Sequence, residues 1–369
     1  MPTSTNLPSQ NYRPTKMDRR SFLQKSALAA ATAIAAPAIS QTFKDAPMGL
    51  VVHTYSHRWH SQVNSEKYPG FQNALDLLEH CHQIGGGGVQ LGVRNWTQDF
   101  AGKVRSRREQ LGLYLEGSIR LPKSTNEVAA FEQEVKLAKE AGASVVRTVC
   151  LGGRRYETFD SLEAFQDFKR QSVKSLELAE PVVRKHQIRL AVENHKDWRA
   201  PELVAILQHL GSEWVGVTLD FGNSISLLEN PMEVVETLVP YVFSTHVKDM
   251  AFEEYEDGFL MSEVQLGEGV LDLPRIVSLC QKHNADIVFN LEMITRDPLK
   301  IPCLTKNYWA TFPEVNGSEL ARTLRMVREN KHPADLPLIS DLNPVGKLAA
   351  EEENVRNSLA YSRSSLPIT

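Results

Sequence analysis

The sequence predicts a single (β/α)8 barrel, and three observations carry that expectation. Short runs of β-branched and apolar residues recur along the chain, separated by stretches with helical spacing of apolar positions. Four consecutive runs in the second half each end in a residue that is rarely buried without a partner. These are IRLAVEN at Glu193, VGVTLDFGN carrying Asp220, VFSTHVKD carrying His246 and ADIVFNLEM carrying Glu292. Their spacing completes the case: Glu193 and Asp220 lie 27 residues apart, Asp220 and His246 26, and His246 and Glu292 46. The first two gaps suit a strand, a crossover helix and the next strand, and the third leaves room for an extra loop. A doubly wound sheet uses the same elements, but ligands on four consecutive strand ends converge better in a closed barrel.

The elements follow in order. GLVVHTYS, Gly49 to Ser56, reads as the first strand, with His53 and Tyr55 alternating near its end. Helical spacing over 68–83 (Phe71, Ala74, Leu77, Leu78, Cys81) leads to four glycines, Gly85 to Gly88, and then VQLGV as the second strand. No GKS or GKT follows those glycines, so they form a turn rather than a phosphate loop. LGLYLEGSIRLP is the third strand and its exit. Thr125 to Ala141 is an amphipathic helix with early acids and late lysines. GASVVRTVCLGG is the fourth strand and sets Arg147 at the top of the barrel. Ser161 to His186 is a long helix leading to the fifth strand, and short helices over 201–210 and 231–238 separate the fifth, sixth and seventh. Asp272 to His283 precedes the eighth strand, and Ser318 to Glu329 closes the ring. AAEEENVRNSLAYS can form one terminal helix.

Three carboxylates and an imidazole aimed at one point repel without a cation between them. Glu193, Asp220, His246 and Glu292 are therefore expected to hold one divalent metal ion. Oxygen-rich ligation with one nitrogen suits Mn, Mg, Co or Zn alike. Further candidates for contact with a substrate are His195, two residues beyond Glu193, Lys248, two beyond His246, and Glu268 in LGEG. Arg147, His53 and Tyr55 complete that set. Asp249 is expected to anchor a loop.

On VENH at Glu193, LDFGN at Asp220, THVKD at His246, LGEGVLD at Gly267 to Asp272 and LEM at Glu292, the sequence resembles the xylose isomerase-like barrels, the sugar phosphate isomerase/epimerase superfamily. The resemblance covers roughly 48–330. It implies that Glu193 and Glu292 are an acid/base pair on opposite faces of a sugar. It also implies homo-oligomerisation, common among such barrels. The sequence departs from the ketose epimerases of this group at three places: Asn223 stands where a histidine is usual, Gln90 where an acid is usual, and Lys248 where an arginine is usual.

The 369-residue chain carries a net charge of −4, and its pI is about 6.3, so no general basic surface for nucleic acid is implied. Four scattered cysteines (Cys81, Cys150, Cys280, Cys303) contain no CxxC pair, which argues against a cysteine metal site. At the N-terminus, Asp18-Arg19-Arg20-Ser21-Phe22-Leu23-Gln24-Lys25 followed by SALAAATAIAAPAIS resembles a twin-arginine export signal, with cleavage near Ala38 or Ser40. Met17, directly before it, is an alternative start to Met1. The expected organisation is a signal over 1–40, a barrel over 41–330 and a C-terminal extension over 331–369. The expected location is the periplasm or exterior, with no membrane span once the signal is cleaved. The function these features predict is a metal-dependent isomerase or epimerase of an unphosphorylated sugar or derivative, forming an enediolate. A lyase or dehydratase of a keto-sugar, inosose or 3-keto-glycoside shares that first step, and a non-catalytic sugar-binding barrel is the third reading.

Overall fold

The computed structural model describes residues 46–368. The export motif read at 1–40 lies outside the described residues. Seven parallel strands follow one another round the molecule: β1 (Gly49–Val51), β2 (Gly88–Gly92), β3 (Tyr114–Ser118), β4 (Val145–Thr148), β5 (Arg189–Glu193), β6 (Val215–Asp220) and β7 (Val242–Val247). An antiparallel hairpin, β8 (Asp249–Tyr255) and β9 (Gly258–Val264), then precedes β10 (Asn290–Leu291). β10 pairs with both β7 and β1 and closes the eight-stranded barrel. The predicted fold class is the observed one.

The outer layer contains the predicted helices, the first of them starting only at Ala74, and one more over 98–111 that the sequence did not single out, with start signals supplied locally. Among the helices are α1 (Ala74–Gln83), α2 (Gln98–Leu111), α3 (Val128–Glu140), α4 (Arg155–Thr158) and α5 (Leu162–His186). Asn73, Thr97 and Ser161 cap α1, α2 and α5 by accepting backbone N–H groups, which satisfies donors a helix start leaves open. α5 begins with Glu163 and ends in Arg184, Lys185 and His186, aligned with its dipole. α6 (Ala200–Leu210), α7 (Pro231–Leu238), α8 (Leu273–His283) and α9 (Gly317–Glu329) continue the layer.

Two strands are shorter than the sequence implies. The first ends at Val51, and Val52–Tyr55 turns into a 3-10 helix. ADIVFNLEM gives only a two-residue strand, Asn290–Leu291. Both lie where the chain bends to place side chains over the barrel mouth. The long gap before Glu292 holds more than a loop: β9 also pairs with β11 (Leu299–Ile301), making a three-stranded sheet over its own apolar cluster of Phe252, Phe259, Met261, Ile301 and Tyr308.

The barrel interior is not a filling of branched aliphatics. Outward positions such as Leu190, Val192, Val217 and Leu219 join the apolar core beneath the helices. Inward positions of the same strands are small or polar. Tyr114 fills the lower interior, where a Cβ on Gly88 would lie 2.4 Å from its ring, and its hydroxyl donates to Phe289 O at 3.0 Å. Above it lie Gln90, Glu116, Ser244 and Asn290, joined by hydrogen bonds. Alternation of this kind is the period-2 signature of strands whose two faces meet different surroundings.

After Lys331 the chain returns to the barrel and ends in α10 (Pro344–Ser365). This helix buries Glu351 and Glu352 against the loop after β1. Among the described residues, no helix is long and apolar enough to cross a membrane. The four cysteines are all free thiols.

Candidate metal centre

Asp220 and His246 are register partners on β6 and β7, and His246 is also the partner of Asn290 on β10. Glu193 ends β5, and Glu292 directly follows β10, its N–H donating to Val247 O at 2.8 Å. One ligand atom from each of Glu193, Asp220, His246 and Glu292 lies within 4.8 Å of the other three, and all four residues are buried. His246 Nδ1 is 3.4 Å from Glu193 Oε2, 3.4 Å from Glu292 Oε2 and 4.0 Å from Asp220 Oδ2.

The tautomer of His246 tests whether these residues suit a metal. Its Nε2 lies 2.7 Å from Gln90 Oε1. Gln90 turns its amide nitrogen to Glu116 Oε2 at 2.9 Å, so its oxygen faces the imidazole and accepts the Nε2 proton. Glu116 is held in turn by Ser244 at 2.6 Å and Asn290 at 2.9 Å. In the neutral ring, the form that binds a metal, the proton therefore sits on Nε2 and the Nδ1 lone pair points among three carboxylates. Nδ1 and Asp220 Oδ2 are both buried without a hydrogen-bond partner. Lys248 Nζ approaches that oxygen to 2.8 Å, but not along a hydrogen-bond direction. Two orphaned acceptors aimed at one point among anionic oxygens fit a divalent cation.

The electrostatics match. Burial opposes charge on Glu193 and Glu292, but Arg147 with His246 at the first, and His246 with Lys248 at the second, hold both well below the usual carboxylate range. Asp220 is pushed up by burial and by the two glutamates, against the pull of Lys248. Burial works against a charged His246, yet Glu292 and Glu193 outweigh it and push its pKa up to about 10. Without a cation the cluster recruits protons, and a metal replaces them.

The remaining candidates sort by position. Arg147 donates two N–H groups to Glu193 Oε2 and a third to Ser118. Lys248, fully buried, lies 2.6 Å from Glu292 and is tied to the ligand set rather than to the surface. His195 stays neutral, its pKa lowered by burial and by Lys196 to about 3, and its Nδ1 is without a partner. His53 is open to the barrel mouth, and Glu292, Arg147 and His246 are near enough to act on its charge.

Two expectations are corrected. Tyr55 does not join the cluster: in the 3-10 turn its hydroxyl swings outward, 2.8 Å from His80 and 3.1 Å from Glu352. Glu268 is exposed at the tip of a turn, and orienting His246 falls to Gln90 instead. That turn is built by Asp249, which accepts N–H bonds from Met250, Gly267, Gly269 and Leu271 and so anchors the loop as expected. A Cβ on Gly269 would lie 2.1 Å from that carboxylate, so only glycine fits there.

Three site residues were not singled out by the sequence: Glu263, Arg296 and Lys196. Glu263, on the inserted hairpin, pairs with Arg296 and lies 3.9 Å from Lys248. Lys196 donates to Asn223 Oδ1, whose amide nitrogen donates to Glu193 Oε1 at 3.1 Å. Lys196 stands one residue past the predicted His195 in ENHK, which was the available signal. Glu263 and Arg296 had none short of the hairpin itself.

Fold and site together define a (β/α)8 barrel with a three-carboxylate, one-histidine centre at the C-terminal ends of its strands. A family model for the xylose isomerase-like TIM barrel matches residues 78–309, and the chain belongs to that family. It is 26% identical over 231 residues to the 3-oxo-isoapionate decarboxylase of Pectobacterium atrosepticum, spanning 61% of this chain and 78% of that one. A solved D-psicose 3-epimerase in the presence of D-fructose shares the fold at a TM-score of 0.56 and 15% identity, over 86% of this chain and 98% of that one. A xylose isomerase-like barrel protein from Mycobacterium smegmatis in complex with magnesium has a TM-score of 0.52 and 15% identity, over 76% and 98%.

Proposed function

We propose that the protein is a metal-dependent isomerase or epimerase that removes a proton beside the carbonyl of an unphosphorylated sugar or sugar derivative. The observation that carries this reading is the convergence of Glu193, Asp220, Glu292 and the free Nδ1 of His246 on one buried point. A divalent ion held there by Glu193, Asp220, His246 and Glu292 would supply Lewis acidity to a substrate carbonyl. The chain's own residues do the rest. Glu193 and Glu292 stay ionised at neutral pH and approach from β5 and the end of β10, on either side of the centre. Their basicity is low, so proton removal depends on the acidified C–H. Arg147 fixes one Glu193 oxygen while Asn223 donates to the other. Lys248 fixes Glu292 and offers N–H donors to a developing oxyanion. His195 and His53, both neutral, are placed for substrate hydroxyls.

A lyase is the second reading, favoured by the likeness to the decarboxylase. There an enolate is left by loss of CO2 from a 3-oxo acid, or it forms by the same proton removal and then expels a β-leaving group. Proton NMR in D2O separates the two on the Mn2+-loaded chain. Deuterium entering a recovered epimer or ketose supports the isomerase, and loss of CO2, water or aglycone moves the assignment to the lyase. Glu292→Gln is expected to lower kcat at least about a hundredfold with Mn2+ still bound. Unchanged turnover in that variant rejects the acid/base role. Export by the twin-arginine route rests on Arg19 and Arg20. Replacing both by lysine is expected to leave the protein in the cytoplasm, and continued export would reject the motif.

A further inference from the structure

The mouth of the barrel holds more positive charge than the metal ligands need. Lys196, Lys248 and Arg296 follow Glu193, His246 and Glu292 by three, two and four residues. All three therefore leave the C-terminal ends of barrel strands, the side on which such barrels hold substrate. Lys248 is committed to Glu292 and Asp220, and Arg296 to Glu263. Lys196 is different. It is 3% exposed, its ammonium donates to the neutral amide oxygen of Asn223, and among the described residues no carboxylate forms an ion pair with it. Burial, with the charges of Lys248 and Arg296, pulls its pKa down to about 8. Glu263 and Asp220 support its charge only at longer range, so this buried cation has no charged partner in direct contact among the described residues.

The charge balance points the same way. Four carboxylates, Glu193, Asp220, Glu292 and Glu263, stand against four cations, of which Arg147, Lys248 and Arg296 are in ion pairs and Lys196 is held only by the neutral Asn223. A divalent ion then adds positive charge, which Glu116 in the barrel interior and Asp197 beside Lys196 offset where they are ionised. A neutral ketose brings no counter-charge to Lys196, whereas a carboxylate does, and the enediolate takes up positive charge at the metal.

We propose that the substrate is an acidic sugar derivative, a keto-sugar acid, and that Lys196, held by Asn223, binds its carboxylate. The inference rests on the metal-dependent reading above and names the substrate class for that site. The unreactive pair D-gluconate and D-sorbitol tests it, because they differ by one carboxylate in place of a hydroxymethyl group. Both are titrated calorimetrically into the full chain loaded with Mn2+, with Mn2+ occupancy checked by mass spectrometry. Gluconate is expected to bind at least about tenfold more tightly, the scale of one charge-assisted contact. Lys196→Gln, which removes the charge and keeps the length, is expected to bring the two within about twofold, and Lys196→Arg to retain the preference. Thermal melting confirms that each variant is folded. Equal binding by the native chain overturns the proposal. So does a preference that survives in Lys196→Gln, which would assign the carboxylate to the metal. A gluconate preference lost in Lys196→Gln, without exchange on any carbonyl substrate, would leave the anion site standing and remove the isomerase. Exchange on neutral ketoses with no gluconate preference would do the reverse.

Discussion

At the scale of single residues, the centre depends on which nitrogen of His246 carries its proton. Gln90 accepts from Nε2, and its own amide is oriented by Glu116, so the lone pair of Nδ1 is turned to the carboxylates. Gln90→Met keeps the bulk and removes the acceptor. It is expected to weaken Mn2+ binding about 10- to 100-fold, the usual effect of losing a partner behind a metal ligand, while Gln90→Glu restores an acceptor and most of the affinity. Titration of Mn2+ by its electron paramagnetic resonance signal reads this directly, and equal affinity in Gln90→Met would remove Gln90 from that role. The ligands were legible because each is a charged or imidazole group closing an apolar run. Gln90 stood out only as a departure from the epimerase pattern. Its partner Glu116 lies in LGLYLEGSIRLP and looks like any polar residue of a strand. What sets it apart is its contact with Ser244 and Asn290 from opposite parts of the chain, which no local pattern encodes.

At the scale of elements, the ring of strands and helices was readable because period-2 and period-3.6 patterns are local. The inserted sheet and the docking of the C-terminal helix were not, since both depend on distant pairings. Helix α10 clamps the loop after β1: Glu351 accepts from His57 N at 2.7 Å and Arg58 N at 3.1 Å, and Glu352 from Arg58 Nη1 at 2.7 Å. That loop also ties His57 to Thr295 O at 2.9 Å, three residues beyond Glu292. Burial pushes Glu351 up to about 8, against those backbone donors. A carboxyl whose folded pKa is raised holds its proton in the folded state. Its contribution is therefore complete below the ordinary value near 4.5, and it declines as pH rises towards about 8. Glu352 is the opposite case. Burial notwithstanding, His80 and Arg58 hold it near 2, so its contribution stays constant above the ordinary carboxylate value and is lost only in acid. Docking of α10 is thus expected to loosen between about pH 4.5 and pH 8. Cleavage by a protease in 331–343 should rise several-fold relative to Glu351→Gln assayed at the same pH, because the amide does not titrate. Parallel cleavage of the two proteins across that range would reject Glu351 as the cause.

For the whole molecule, the proposed metal centre trades stability for a binding site. Three buried carboxylates within reach of one another repel, and burial with its two neighbours already drives Asp220 towards its neutral form. Fold stability and metal affinity are therefore linked: a ligand that binds only the folded chain adds RT ln(1 + [L]/Kd), about 2.7 kcal/mol at a hundredfold excess over Kd. For a chain of this size that corresponds to a rise in Tm of roughly 4 °C. Asp220→Asn separates the two terms. The asparagine oxygen can still accept from Gly222 N and Asn223 N, as Asp220 Oδ1 does at 2.9 and 2.8 Å, so the turn after β6 is kept. The buried charge is removed. In EDTA this variant is expected to melt no lower than the native chain. With saturating Mn2+ the native chain should overtake it, because the variant has lost an anionic ligand and most of the response. Calorimetric melts of both proteins with and without Mn2+ check this. A variant that melts lower in EDTA would show that Asp220 stabilises the fold by itself. An equal Mn2+ response in both proteins would place the metal elsewhere. The crossing of the two melting orders is the signature of a carboxylate kept for the metal at the expense of the metal-free fold.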